Sequence, residues 1–232
     1  MIAQEVILLA GGLGTRLRAE VPDLPKPLAP VAGRPFLAWL LDAYAAAGMR
    51  RAILATGYRS EQIEQVVGRH WSGMEIAYSR EEDPLGTGGA VSQAVALVQS
   101  DGVHLANADT YLRYSPRALE RATREVGAWL GVALADVPDV ARYGAVETAD
   151  GRVCGFREKG GQGPGLINAG SYFLSAEGLD ALPPVSSYSF EERVLVPWSR
   201  ERRVAADTQV SDFIDIGVPD DYRRAQILLA GL

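Results

Sequence analysis

The segment Leu9-Ala10-Gly11-Gly12-Leu13-Gly14-Thr15-Arg16-Leu17 follows directly on the apolar run Val6-Ile7-Leu8. Glycines let a backbone turn tightly and approach a polyanion, so that successive N–H groups can point at phosphate oxygens. Arg16 adds a planar, permanently charged fork suited to the same oxygens. The dinucleotide fingerprint G-x-G-x-x-G is absent, as is the Gly-Lys-Ser/Thr of a P-loop. The segment is therefore a third kind of phosphate loop, with an ordinary strand-to-helix turn as the plainer reading. Pro25-Lys26-Pro27 then sets a lysine between two prolines, which predicts extended backbone and a reduced entropy cost for holding the ammonium near a phosphate. Asp109 follows the apolar run Val103-His104-Leu105-Ala106 and is expected at the same sheet edge as the glycine loop. Taken alone, each of these residues has a simpler role, the lysine as a solvated loop residue and the aspartate as a cap or turn residue.

Elements must position such groups, and the pattern of the first half supplies them. Short apolar runs rich in β-branched residues alternate with helical spacing, the signature of a parallel sheet with crossover helices. Residues 5–10 form the first strand. Phe36, Leu37, Leu40, Leu41 and Tyr44 recur at helical spacing between Pro35 and Ala47, with Gly48 as the stop. Strands follow at 52–56, 75–78 and 103–106, with a helix begun by Ser60 and another near 89–98 between them. In the second half, residues 143–148 and 152–156 flank Ala149-Asp150-Gly151, a hairpin signal that adds antiparallel strands. A strand is predicted at 167–174, and helices at 190–198 and 219–229.

Composition excludes several classes. At 232 residues with no dividing linker the chain is expected to be a single domain, and 47% hydrophobic content suffices for a core without staples. A net charge of −6 argues against nucleic acid and anionic membrane surfaces as partners. No run approaches the roughly 18 apolar residues of a membrane span. Val6 to Ala10 is too short for a secretory core, and Cys154 is the only cysteine, so the cytoplasm is the expected compartment. His70 and His104 match no metal-ligand spacing. Trp198 is expected among exposed apolar residues that could serve a homodimer.

Taken together, Leu-Ala-Gly-Gly-Leu-Gly-Thr-Arg-Leu and Pro-Lys-Pro resemble the signature of the sugar-1-phosphate nucleotidyltransferases. The resemblance continues, in the family's order, through residues 82–90 (Glu-Asp-Pro-Leu-Gly-Thr-Gly-Gly-Ala), Asn107-Ala108-Asp109-Thr110, Phe156-Arg157-Glu158-Lys159, Ile167-Asn168-Ala169-Gly170 and residues 213–222. Within the family the chain looks most like guanylyltransferases acting on D-glycero-α-D-manno-heptose 1-phosphate.

The resemblance implies an α/β architecture with a Rossmann-like mixed, mostly parallel sheet flanked by helices, the nucleotide-diphospho-sugar transferase fold. It implies transfer of GMP from GTP to a sugar 1-phosphate, with release of pyrophosphate, for capsule or other surface polysaccharide. Arg16, Lys26 and Asp109 are the implied catalytic residues. The nucleotide is expected on Leu9, Ala10, Gly11, Gly12, Gly14, Thr15, Arg16, Lys26, Asn107 and Asp109. The segment Leu85, Gly86, Thr87 and Gly88 should lie beside its base and ribose, the glycines admitting a flat ring. The sugar phosphate is expected on Gly144, Glu158, Lys159, Asn168 and Gly170, while Glu191 is read as a helix-terminus residue only. Asp109 and Asp215 are the implied ligands of Mg²⁺, whose hard octahedral chemistry suits one or two carboxylates plus substrate phosphates.

Two departures from the family pattern matter. Ala108 stands where the family usually has glycine, which requires ordinary backbone torsions there, and Gly160-Gly161 replaces the proline after Lys159. The competing readings are a mannose-1-phosphate guanylyltransferase or another member of the family, and a non-catalytic sugar-nucleotide sensor. A glycosyltransferase would need an Asp-x-Asp motif, and Asn107-Ala108-Asp109 lacks its first aspartate.

Overall fold

The computed structural model describes residues 2–12, 14–17, 20–157 and 160–231. In chain order the strands are β1 (Glu5–Leu9), β2 (Pro30–Val31), β3 (Arg34–Pro35), β4 (Arg51–Thr56), β5 (His70–Trp71), β6 (Met74–Arg80), β7 (Gly102–Asn107), β8 (Thr110–Arg113), β9 (Leu130–Val137), β10 (Ala145–Ala149), β11 (Arg152–Arg157), β12 (Gly165–Ser175), β13 (Val204–Asp207) and β14 (Ser211–Asp215). The helices are α1 (Phe36–Ala46), α2 (Ser60–Val67), α3 (Gly86–Val95), α4 (Pro116–Glu125), α5 (Ala176–Asp180), α6 (Val196–Arg200) and α7 (Pro219–Ala230). A π-helical turn, Glu191–Leu195, leads into α6.

The main sheet runs β10-β11-β13-β9-β12-β7-β1-β4-β6-β5 among the described residues. Pairing makes β7, β1, β4 and β6 parallel, and β12 joins them antiparallel to both β7 and β9. With β9 and β13 parallel and the edge hairpins antiparallel, only β5, β11 and β12 oppose the common direction. The sheet is thus mixed and mostly parallel, as expected. Strand β1 shows why its sequence is apolar throughout: Val6 and Leu8 pack with Leu37, Leu41 and Leu229 on one face, and Ile7 with Ile53, Val91 and Trp198 on the other. A strand covered on both faces has no polar side to alternate with.

Several local expectations change. Helix α2 does begin at Ser60, as expected, but that residue is buried and the capping position is Arg59 in the left-handed region with no side-chain cap. Lys26 opens a single 3₁₀ turn rather than continuing the extended backbone of Pro25. Leu28 N donates to Pro25 O at 2.8 Å, and Pro27 stands where its missing N–H loses nothing. Trp198 is buried, with its ring edge-on to Trp129 at 5.4 Å, so it offers no exposed surface to a second copy. No described helix is long and apolar enough to cross a membrane.

Candidate active site

The ends of β1 and β7 lie side by side, because the two strands pair in parallel with Leu9 opposite Asn107. Asp109 follows two residues later, and Ala108 N anchors this turn on Leu9 O at 3.1 Å. Ala108 is buried and has no positive φ, so the ordinary torsions that alanine requires are present. Strand β14 pairs antiparallel with β8 and sets Asp215 opposite Thr110, and Ile216 N donates to Asp109 O at 3.0 Å. This small sheet joins two carboxylates that are distant in sequence.

Lys26 lies between them. Its ammonium donates to Asp109 Oδ2 at 2.6 Å and sits 3.7 Å from Asp215 Oδ1. Asp109 Oδ1 accepts from Thr110 Oγ1 at 3.2 Å, and Asp215 Oδ1 accepts from Gly217 N at 2.6 Å. Burial pushes the Asp215 carboxyl above its ordinary range, the Asp109 charge adds to this, and Lys26 opposes it. Gly217 belongs to the 213–222 motif without a role of its own, yet a Cβ there would stand 2.8 Å from Asp215 Oδ1 and 3.2 Å from Lys26 Nζ. The donor set fits Mg²⁺: two hard carboxylates that repel each other, with an ammonium as the cation now between them.

A cavity of about 570 Å³ opens on one side of this cluster, and its walls include Arg16, Arg142, Tyr143, Asn168, Gly170 and Asp215. Strand β12 is irregular between Asn168 and Tyr172, the kind of bulge that re-aims side chains near sites. There Asn168 Oδ1 accepts from Gly170 N at 3.0 Å and Nδ2 donates to Tyr172 Oη at 2.8 Å. Gly170 has φ +70°, and a Cβ on it would meet Asn107 Nδ2 at 2.5 Å. The far wall carries Tyr172, Ser189, Phe190 and Glu191. Glu191 thus faces the cavity from the first residue of the π-helical turn, a geometry frequent at functional sites.

A second cavity of about 310 Å³ lies on the other side of Leu9, Thr87 and Asn107, which line both. Its walls include Gly11, Gly12, Glu81, Pro84, Gly86 and Asp109. The sequence does not single out Glu81, because an acid between a strand and a turn looks like any loop acid. Its Oε2 accepts from Leu85 N at 2.9 Å, while Oε1 stands where a Cβ on Gly11 would meet it at 2.6 Å. Burial raises its carboxyl above the ordinary range, and the Leu85 N–H opposes this.

Among the expected nucleotide residues, Leu9, Gly11, Gly12, Gly86, Thr87, Asn107 and Asp109 line the second cavity, and Arg16 the first. Gly14, at φ +58°, packs against Lys26, where an added Cβ would stand 3.0 Å from the lysine Cβ, and Thr15 opens a 3₁₀ turn with Arg16. Others are engaged within the protein itself. Ala10 is buried and gives its N–H to Ala55 O at 2.8 Å. Leu85 gives its N–H to Glu81 and its carbonyl to Tyr188 N. Gly88 lies under the Tyr188 ring: its Cβ would meet Tyr188 Cε2 at 2.0 Å, and its N–H bonds Tyr188 O. Gly144 is buried with φ +81°, and its neighbours Arg142 and Tyr143 reach the cavity in its place. Glu158 and Lys159 lie outside the described residues.

A ligand crevice beyond the carboxyl ends of parallel strands, split by a carboxylate pair, defines a class. A family model described as nucleotidyl transferase matches residues 5–230, and the chain belongs to that family. It is 38% identical over 222 residues to the D-glycero-alpha-D-manno-heptose 1-phosphate guanylyltransferase of Aneurinibacillus thermoaerophilus, with 96% of each chain covered. It is 33% identical over 225 residues to the mannose-1-phosphate guanylyltransferase of Mycobacterium tuberculosis, covering 95% of this chain and 63% of that one. The crystal structure of HddC from Yersinia pseudotuberculosis complexed with GMP-PN matches at TM-score 0.83 and 33% identity, covering 97% of this chain and 99% of that one. The architecture is the nucleotide-diphospho-sugar transferase fold.

Proposed function

We propose that this chain transfers GMP from GTP to a sugar 1-phosphate, D-glycero-α-D-manno-heptose 1-phosphate, giving GDP-heptose and pyrophosphate. The observation that carries the reading is the Lys26–Asp109–Asp215 cluster at the boundary of two cavities, since each cavity can hold one of two polyanions whose phosphates meet there. The names of the relatives described above support guanosine and heptose. Glu81 supports guanosine independently: a desolvated carboxylate needs donors, and guanine offers N1–H and N2–H₂ on one edge, where adenine offers an acceptor at N1.

A sugar phosphate oxygen attacks the α-phosphorus of GTP in line, the bond from that phosphorus to the bridging oxygen breaks, and pyrophosphate leaves. A phosphate monoester is already a competent anion, so no protein nucleophile is required. The protein aligns two polyanions and offsets their repulsion. In this reading Gly11, Gly12, Gly14, Thr15 and Arg16 take the triphosphate, and Lys26 takes the charge at the reacting phosphate. Asn168, Gly170 and Glu191 take sugar hydroxyls, with Glu158 and Lys159 as further sugar-phosphate residues. Asp109 and Asp215 would hold Mg²⁺, which supplies positive charge to the phosphates. The whole chain acts as one domain, in the cytoplasm, and feeds capsule or related surface polysaccharide.

The test is a panel of four nucleoside triphosphates against heptose and mannose 1-phosphates with Mg²⁺, reading pyrophosphate. Release with GTP and heptose 1-phosphate is the expected result. A preference for UTP or dTTP refutes the guanylyl assignment, and no release with any pair refutes the chemistry.

A further inference from the structure

Arg142 follows β9 and has no role in the reading above. Its side chain forms part of the wall of the 570 Å³ cavity and also of a neighbouring one of about 340 Å³, the two meeting at Tyr143, Phe213 and Asp215. Its Nη1 donates to Asp221 Oδ2 at 2.6 Å. Asp221, in the first turn of α7, has a side chain only 3% exposed and accepts on its other oxygen from Arg224 at 2.7 Å. The guanidinium also lies 5.1 Å from the centroid of the Tyr143 ring. One carboxylate thus holds two arginines, and the group carries a surplus positive charge beside Asp215.

That surplus has a use. Lys26 is already engaged by Asp109 and Asp215, and Arg16 on the same wall is assigned to the triphosphate, so a phosphate dianion entering the larger cavity past Asp215 and Glu191 gains from a further cation beside the one expected of Lys159. A guanidinium has five N–H donors, and the Asp221 contact engages one nitrogen, leaving a planar fork for phosphate oxygens. Orienting a half-exposed arginine with a buried aspartate also lowers the entropy cost of immobilising it on the ligand.

We propose that Arg142 binds the phosphate of the sugar 1-phosphate and that Asp221 is a positioning residue that aims it. This rests on the sugar-1-phosphate reading. Because the phosphate is common to every such substrate, the arginine should act equally on sugars that differ elsewhere.

The experiment measures steady-state KM and kcat with GTP and either mannose 1-phosphate or heptose 1-phosphate, for the wild type, Arg142→Gln, Arg142→Lys and Asp221→Asn. Pyrophosphate release by the wild type with either sugar tests the underlying reading, separately from the variants. Arg142→Gln should raise KM about 10- to 100-fold, by the same factor for both sugar phosphates, the usual scale for a charge-assisted contact. KM for GTP should stay within about twofold. Arg142→Lys should recover part of the loss, since it keeps the charge and loses the fork. Asp221→Asn should raise the same KM by a smaller factor, with circular dichroism reporting its fold. The proposal is overturned by an unchanged sugar-phosphate KM in Arg142→Gln, by a rise confined to GTP, or by a rise for one sugar only.

Discussion

Gly88 lies so close under Tyr188 that a single added Cβ would stand 2.0 Å from the ring. Tyr188 is held there by a 2.6 Å hydrogen bond to Ser92 and by backbone bonds to Leu85 and Gly88, and the chain beyond it forms the far wall of the larger cavity. Gly88→Ala must therefore displace the ring and the wall with it. Overpacking of this kind costs about 1–3 kcal/mol. The melting temperature should fall by about 2–4 °C per kcal/mol for a chain of this size. KM for the sugar phosphate should rise more than KM for GTP. A melting temperature unchanged within a degree would mean that the ring is not held as described.

The ammonium of Lys26 bridges both carboxylates, so removing it does two things at once. Lys26→Ala deletes the cation expected at the reacting phosphate and leaves Asp109 and Asp215 facing each other. Turnover should fall roughly a hundredfold or more, the usual scale for one electrostatic contact made in the transition state. Asp109→Ala should fall on the same scale. Near wild-type kcat in either variant, measured by pyrophosphate release, would remove these residues from the chemistry.

The contrast between Asp109 and Asp215 shows how much the sequence reveals. Asp109 lies two residues beyond an apolar strand, so its place at the sheet edge follows from local pattern and from the edge rule for parallel sheets. Asp215 reaches the same edge only because β14 pairs with β8, a short strand that leaves no periodic signal of its own. The roles of Glu81 and Gly217 are not legible for a similar reason, since their importance lies in what approaches them. Helix α4 is a different case: Ser115 caps Ala118 N and Pro116 stands in the first turn, a start signal that was open to view. Gly86, Gly88 and Gly89 read as a ligand turn, and residues 186–188 also pack onto all three.

His104 lies on β7, fully buried, with its ring 5.1 Å from Phe173 and both nitrogens without a hydrogen-bond partner. Burial pulls its pKa below the ordinary 6.5, although Glu120 at 3.8 Å opposes this. The sign follows from linkage: the unfolded chain takes up a proton near pH 6.5 while the folded chain resists it, so stability falls as pH drops below that value. Glu5 and Glu120, both held below their ordinary 4.5, contribute stability that is lost only at lower pH. Between about pH 5 and 6.5, the melting temperature of the wild type should therefore decline as pH falls, and His104→Phe should flatten that decline. Parallel curves for the two proteins in that window would exclude this histidine as the source.

Glu81 offers the sharpest test of base identity, because it lines the smaller cavity with Oε2 fixed by Leu85 N and Oε1 beside Gly11. A half-buried acceptor that meets donors on the correct base is left unpaired by the wrong one once the base covers it, and polar groups left unpaired in this way discriminate strongly. Glu81→Gln keeps the shape, replaces a charged acceptor by an amide, and leaves the phosphate machinery untouched. Its kcat/KM with GTP should drop about 10- to 1,000-fold, with the loss chiefly in KM, while the low activity with ATP changes little or rises. The measurement is the GTP-to-ATP ratio of kcat/KM in wild type and variant at saturating sugar phosphate. If that ratio is unchanged, the base lies elsewhere, and the carboxylate over Gly11 serves only to fix the turn at Leu85.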